Sequence, residues 1–217
     1  MSETSNALPP LPSVFQPVRV PAGVSALDHA AAHAELGLLA WSPGQAWAEA
    51  VLVLEPEDAA ESRLALLAGC NALADALATC APADIPLGFA WPGGLLLNHG
   101  RCGGVEARPG PDGLLLLGFR LRLAFSPGHE AGLLPGETAL SEEGADPTSA
   151  AEITAAWALH LMAGLDAWQA HGWQRMAETY LARLLDPAAE PGLKRGIDPA
   201  SGALVLDRNG TRETRPC

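Results

Sequence analysis

Two glycine-rich stretches lie close together in this chain: Trp91-Pro92-Gly93-Gly94 and Gly100-Arg101-Cys102-Gly103-Gly104. Glycines at tight turns between strands let the backbone approach a ligand closely and turn N–H groups towards an anion. The same glycines also serve as ordinary hairpin ends, so both readings stand on this pattern alone. The lysine inventory narrows the chemistry further. Lys194 is the single lysine of the chain and lies near its C-terminal end, which excludes any mechanism that needs a lysine elsewhere in the core.

The elements that must position these residues follow from periodicity and punctuation. A helix is predicted over 25–35, with Ser25 as N-cap and Gly37 at the stop. Strands over 37–41 and 48–55 are joined by Ser42-Pro43-Gly44, and the continuous apolar run AVLVLEP suits a strand covered on both faces. A helix over 58–79 places Leu64, Leu67, Asn71, Ala74 and Leu77 near one face. Short strands at 87–91 and 95–98 flank Pro92-Gly93-Gly94, and a third begins near Cys102 and runs to Ala107. Over 114–125, Phe119, Leu121, Leu123 and Phe125 alternate with Arg120 and Arg122, which face the other way. Residues 126–147 are rich in Gly, Pro and Glu and read as a long surface excursion. Ser149 and Glu152 form a capping-box pattern ahead of a helix to about Gln169, and a second helix spans about 173–185. Asn209-Gly210 signals a hairpin in the tail. Strands and helices alternate only in part, so the expected class is α+β with a mixed sheet.

Composition removes several function classes. The chain has 217 residues, 48% of them hydrophobic, enough for a core without disulfides or metals. A formal charge of −12 with no Lys/Arg cluster argues against nucleic acid as a partner. No apolar run reaches the length of a membrane span, and the opening MSETSNALPPLPSVFQP has no secretory-signal pattern; residues 1–24 read as a poorly ordered arm. Cys70, Cys80, Cys102 and Cys217 are scattered, as expected of free thiols in a reducing cytoplasm.

Other candidates are weaker. His29 and His33 stand at i, i+4, but no third ligand is evident, so no metal site is expected. His99 and His129 fall in loops, and His99, beside the glycine turn, either faces a ligand or solvent. Asn71 is either a satisfied core amide or a ligand group. Trp91 either lines an acyl pocket or packs in the core, whereas Trp157, Trp168 and Trp173 read as packing residues. Glu142 and Glu143 are expected to be solvated.

Residues 66–105, LLAGCNALADALATCAPADIPLGFAWPGGLLLNHGRCGGV, resemble the biotin/lipoate protein ligase family. Its pattern is a helix ending in small residues, Lys-Trp-Pro-Asn-Asp, an apolar strand, and a glycine turn with a lysine before Ala-Gly. Trp91-Pro92, Leu95 to Leu97 with Asn98, and Gly103-Gly104-Val105 match it. LLLLGFRLRL, the late helices and GIDPASGALVLDRNG resemble later parts of the family fold, the last being similar to the start of an SH3-like β appendage. The resemblance implies a ligase-like domain over 25–190 with a small β appendage over 191–217. The winged helix by which some biotin ligases bind DNA is not expected, since only about 24 residues precede the first helix.

The departures matter as much. Ala90, Gly93 and Gly94 stand where biotin ligases have Lys, Asn and Asp, and Arg101 takes the place of the second lysine. The family's basic glycine-rich loop should appear near 41–49, where this chain has SPGQAWAE without a basic residue. Such ligases join a carboxylate to the AMP of ATP, then let a carrier-protein lysine attack the activated carbonyl. Both steps need a fixed cation and N–H donors where charge builds, and water must be kept from the mixed anhydride. The resemblance therefore implies Arg101 as the catalytic cation and Trp91, Gly93, Gly94, Asn98, His99, Cys102, Gly103 and Gly104 as ligand-binding residues. It also implies a biotin-, lipoate- or octanoate-like acid, ATP and magnesium if the chain is active, a carrier protein, and room for a homodimer. The competing expectation is a binding or interaction protein that keeps the fold without adenylation.

Overall fold

The computed structural model describes residues 7–21, 23–126, 128, 134–145, 148–188 and 190–217; His129 lies outside the described residues. Its centre is an eight-stranded mixed sheet, and its position in the sequence follows from which strands can be covered on both faces. Strands β2 (Leu38–Ser42) and β3 (Trp47–Leu54) pair antiparallel, and β3 pairs with β7 (Leu115–Arg122). Along these strands Leu39, Trp41, Ala50, Leu52, Leu117, Phe119 and Leu121 enter the larger core. Their neighbours Leu38, Ala40, Val51, Val53 and Leu116 enter a second, smaller one on the other face. The apolar run predicted to be covered twice is covered twice, and the period of two assigns alternate residues to the two cores.

Helix α1 (Ala26–Ala32) closes the smaller core with Ala26 and Ala30, and Ser25 caps it by accepting from the N–H groups of Leu27 and Asp28. Helices α2 (Ala59–Leu77) and α3 (Ala150–His171) cover the larger core, with α4 (Gln174–Ala182) beside them. Asp58 caps α2 and the predicted Ser149–Glu152 capping box is present on α3. Two buried polar contacts tie the helices together. Trp157 Nε1 donates to Gly69 O (3.1 Å), and Asn71 Nδ2 donates to Met176 O (2.9 Å). Asn71 is thus a satisfied core amide, and Arg183 bonds its carbonyl while pairing with Asp75.

The rest of the sheet carries the glycine block. Strands β6 (Gly100–Pro109), β5 (Gly94–Leu97) and β4 (Leu87–Ala90) continue from β7 in that order, all antiparallel. Three expectations are corrected here. Residues 1–24 do not all form a poorly ordered arm, because β1 (Gln16–Arg19) pairs parallel with β2 and Phe15 and Val20 are buried. The helix predicted to Leu185 stops at Ala182, and β8 (Leu184–Asp186) joins the sheet edge parallel to β4. The Gly-Arg-Cys-Gly-Gly segment is strand rather than turn, since the turn itself is Asn98-His99. At the C-terminal end β9 (Leu193–Ile197), β10 (Leu204–Arg208) and β11 (Thr211–Arg215) form a separate antiparallel sheet, with Asn209-Gly210 as its predicted hairpin. Among the described residues no helix is long and apolar enough to cross a membrane.

Candidate functional site

A cleft of about 490 Å³ opens over the strands β5, β6 and β7, lined by Gly93, Gly94, Arg101, Cys102, Gly103 and Gly104 together with Trp47, Arg120, Arg122 and Glu137. The glycines are there because two backbones must touch. Gly94 pairs with Gly104 across the ladder, a Cβ on Gly104 would stand 2.7 Å from Gly93 O, and a Cβ on Gly93 would fall on Val105 O. Gly103 has φ 150°, where a Cβ would fall on Arg120 O. The register slips between Leu95 and Leu96, so Leu95 faces Gly103 and Leu96 faces Arg101. Cys102 is the extra residue of this bulge, which re-aims the strand at Arg101. Its thiol is buried, donates to Arg122 O (3.4 Å), and is pushed up to about 12 by that burial. It contributes shape, not a nucleophile.

Arg101 enters the cleft from β6, its Nη2 lying 2.5 Å from where a Gly94 Cβ would be. The lost side chain at Gly94 is the seat of the guanidinium. The strand around it is held by a segment of the long excursion: Arg101 N donates to Gly136 O (2.7 Å) and Thr138 N to Arg101 O (3.0 Å). Among the described residues no carboxylate pairs with the Arg101 guanidinium.

The other two arginines are held. Arg120 and Arg122 lie on one face of β7, as the alternation required, and both stack on the Trp47 ring, their Cζ atoms 4.2 and 4.5 Å from its centroid. Arg120 Nε pairs with Glu49 (2.9 Å), which also accepts from Ala26 N at the start of α1. Arg122 Nη2 pairs with Glu137 (2.5 Å), while its buried Nε has no partner. An unpaired buried donor is costly unless something arrives to accept from it.

Three of the nine sequence candidates are outside this lining. The Trp91 indole turns away, donating to Pro216 O (2.7 Å) and meeting Tyr180 edge-on with centroids 5.9 Å apart. Tyr180 in turn donates to Pro92 O (2.6 Å), fixing the turn from behind, and burial pushes its phenol well above the usual range. Asn98 and His99 have φ 49° and 65°, the signature of a two-residue hairpin turn, and both are exposed. Asn98 Nδ2 donates to Glu143 (2.9 Å), and Thr138 Oγ1 donates to the same carboxylate (2.5 Å). Glu143, expected to be solvated, therefore clamps the Asn98-His99 turn to the segment that holds Arg101. The side chains that the sequence reading missed are Trp47, Arg120, Arg122 and Glu137. The alternation at 119–125 was the available signal for the two arginines, whereas Glu137 sits in a stretch without periodicity. The His29 and His33 rings stack 4.4 Å apart, and no group of three or more His, Cys, Asp or Glu among the described residues is placed to hold a metal.

The profile of the Biotin/lipoate A/B protein ligase family matches residues 8–182, well over half the chain. The chain belongs to that family. Among solved structures, a biotin protein ligase-like protein of unknown function from Silicibacter sp. TM1040 is 23% identical, covering 95% of this chain and 96% of its own, with a TM-score of 0.78. Biotin protein ligase from Aquifex aeolicus, in complex with biotin and ATP, is 12% identical over 93% and 95% of the two chains, TM-score 0.72. The Leishmania major enzyme, in complex with biotinyl-5-AMP, is 14% identical over 95% and 100%, TM-score 0.60. A comparison with curated proteins finds no match. At these identities the structures establish the biotin-ligase fold, with the mixed sheet bearing the glycine block. The segment SPGQAWAE carries no basic residue, yet the cleft holds three guanidinium groups, two of them on β7.

Proposed function

We propose that this protein attaches a small carboxylic acid of the biotin, lipoate or octanoate kind to a carrier-protein lysine through an acyl-adenylate. The observation that carries the reading is the Arg101 guanidinium, unpaired among the described residues and seated over Gly94 in a cleft that also holds Arg120 and Arg122. The complexes of the Aquifex aeolicus and Leishmania major enzymes make the same chemistry the natural one for a cleft on this sheet.

In the first step a carboxylate oxygen attacks the α-phosphorus of ATP and pyrophosphate leaves. In the second, the carrier amine attacks the acyl carbonyl, AMP leaves with the bonding pair, and the amine loses a proton. Charge builds on phosphate oxygens first and on the carbonyl oxygen second. Arg101 would hold these oxygens with two parallel N–H donors, a planar fork where a lysine offers a point charge. Each charge-assisted contact is worth about 1.5–3 kcal/mol, so the arginines together replace much of what the missing basic loop would give. Magnesium, where the nucleotide brings it, would be carried on the phosphates. The three-stranded sheet β9–β11 is proposed as the SH3-like appendage.

The test is incubation with ATP, each acid and apo carrier domains, reading adenylate by pyrophosphate exchange and the adduct by intact mass. One acid should give an adduct, and Arg101→Ala should lower its rate at least tenfold. Absence of adenylate with every acid would refute the proposal.

A further inference from the structure

A second cavity, independent of the cleft, lies at the opposite end of β3 and β7. Its volume is about 260 Å³, and it sits where the chain before β1 meets the C-terminal half of α3. Its walls are Phe15, Leu52, Leu115, Met162, Leu165 and Trp168, the first three almost fully buried. Val14 and Leu36 form the lip, each 53% exposed, among the most exposed large apolar side chains described. Apolar walls leading to an apolar lip are what a site for the hydrocarbon part of a ligand looks like.

The charges around it have one sign. Glu55, Glu61 and Asp166 line the cavity, and among the described residues no Lys, Arg or His does. Six described carboxylates elsewhere pair with arginines, at Glu49, Asp75, Glu106, Glu137, Glu190 and Glu213, while others on the surface, such as Glu35, Asp84 and Glu142, do not. None of the three at the cavity has such a partner among the described residues; Glu61 accepts only from Glu57 N. An anion would be repelled there, and a neutral body would leave the carboxylates unused.

We propose that this cavity binds a small amphipathic organic cation, an apolar body of about eight to ten heavy atoms ending in an ammonium group. The size follows from the volume, at roughly 30 Å³ of cavity per atom. The apolar body packs between Leu52, Leu115 and Trp168, and the ammonium stays at the mouth between Glu61 and Asp166. No covalent step is involved, and the inference does not depend on the ligase reading.

The experiment uses the full chain and three probes of one shape: 2-phenylethylammonium, 2-phenylethanol and phenylacetate, titrated at low salt and followed by ligand-observed NMR or calorimetry. The ammonium should bind five- to tenfold more tightly than the alcohol, and any binding of the carboxylate should be that of the cleft, lost in Arg101→Ala. The double variant Glu61→Gln/Asp166→Asn should erase the preference for the ammonium while still binding the alcohol. Arg101→Ala should leave the ammonium and alcohol titrations unchanged, which separates this site from the cleft. Equal affinity for ammonium and alcohol would overturn the proposal, as would no binding of any probe. Self-association that the double variant abolishes would overturn it too, by assigning the face to a second copy of the chain.

Discussion

Gly94→Ala offers the sharpest test of how the cleft is built. The added methyl would lie 2.5 Å from Arg101 Nη2 and 3.3 Å from its Cζ, but 3.5 Å from Ala90 O, an ordinary contact. The clash is therefore with the mobile end of a side chain, and the backbone can stay. Non-bonded atoms settle at about 3.5 Å or more, so the guanidinium must retreat by about 1 Å. A misplacement of that size costs about 100-fold in a positioned reaction, which agrees with losing one charge-assisted hydrogen bond of about 1.5–3 kcal/mol. Stability should hold or rise slightly, because alanine restricts the unfolded chain and Gly94 is not among the positive-φ positions. Gly93→Ala is the contrasting control: its methyl meets the Val105 carbonyl, whose residue donates its own N–H to Gly93 O (2.8 Å), so the sheet itself must give. Thermal unfolding and adenylate formation, with pyrophosphate affinity by calorimetry as a second readout, are measured on both variants and on Arg101→Ala. Gly94→Ala should melt like the parent protein and resemble Arg101→Ala in the cleft assays, whereas Gly93→Ala should melt lower. A Gly94→Ala protein with undiminished adenylate formation and anion affinity would refute the placement of the guanidinium.

Two further outcomes are expected. Cys70, Cys80 and Cys102 are buried and Cys217 is exposed; desolvation raises the Cys217 thiol as well as those of Cys70 and Cys102, so access decides, and at pH 8 a disulfide reagent should label Cys217 first and the others only on unfolding, with the fast phase lost in Cys217→Ser. Glu152 is held below its ordinary value of about 4.3 by the Ser149 backbone N–H and then by its hydroxyl. Its folded value is the lower one, so its stabilisation is present above the unfolded value and is lost as pH falls through the folded one. In Ser149→Ala the Glu152 midpoint, read by NMR titration, should move up towards the ordinary value, and α3 should lose about 0.5–2 kcal/mol of capping at pH 7.

Local chemistry made part of this molecule legible in advance. The caps of α1 and α3 depend on neighbours a few residues away and stand where the sequence put them, as does the apolar run of β3, whereas the second glycine segment, read as a turn, is strand. What was misread depends on distant partners. Trp91 was open between pocket wall and core packing, and what turns it to the second, its indole partner Pro216 O, lies 125 positions along the chain. Glu143 looked solvated because nothing nearby in sequence announces Asn98 and Thr138 as its donors. Gln16–Arg19 carries no strand pattern of its own and is ordered by the edge of β2 that it meets. Asn98 and His99 were legible differently: two residues between strands, the first an asparagine, are a hairpin turn before they are ligand groups.

Arg120 and Arg122 project from a paired strand, braced by Glu49 and Glu137 against one indole. A strand-borne charge is in position before any guest arrives, so capture forfeits little chain entropy and needs no folding of a flap. Encounter should then be fast, with a small entropic penalty in calorimetry. The same rigidity has a drawback: a wall that does not close over its guest cannot shield a water-sensitive intermediate, which would then have to be handed on quickly or covered by the acceptor protein itself.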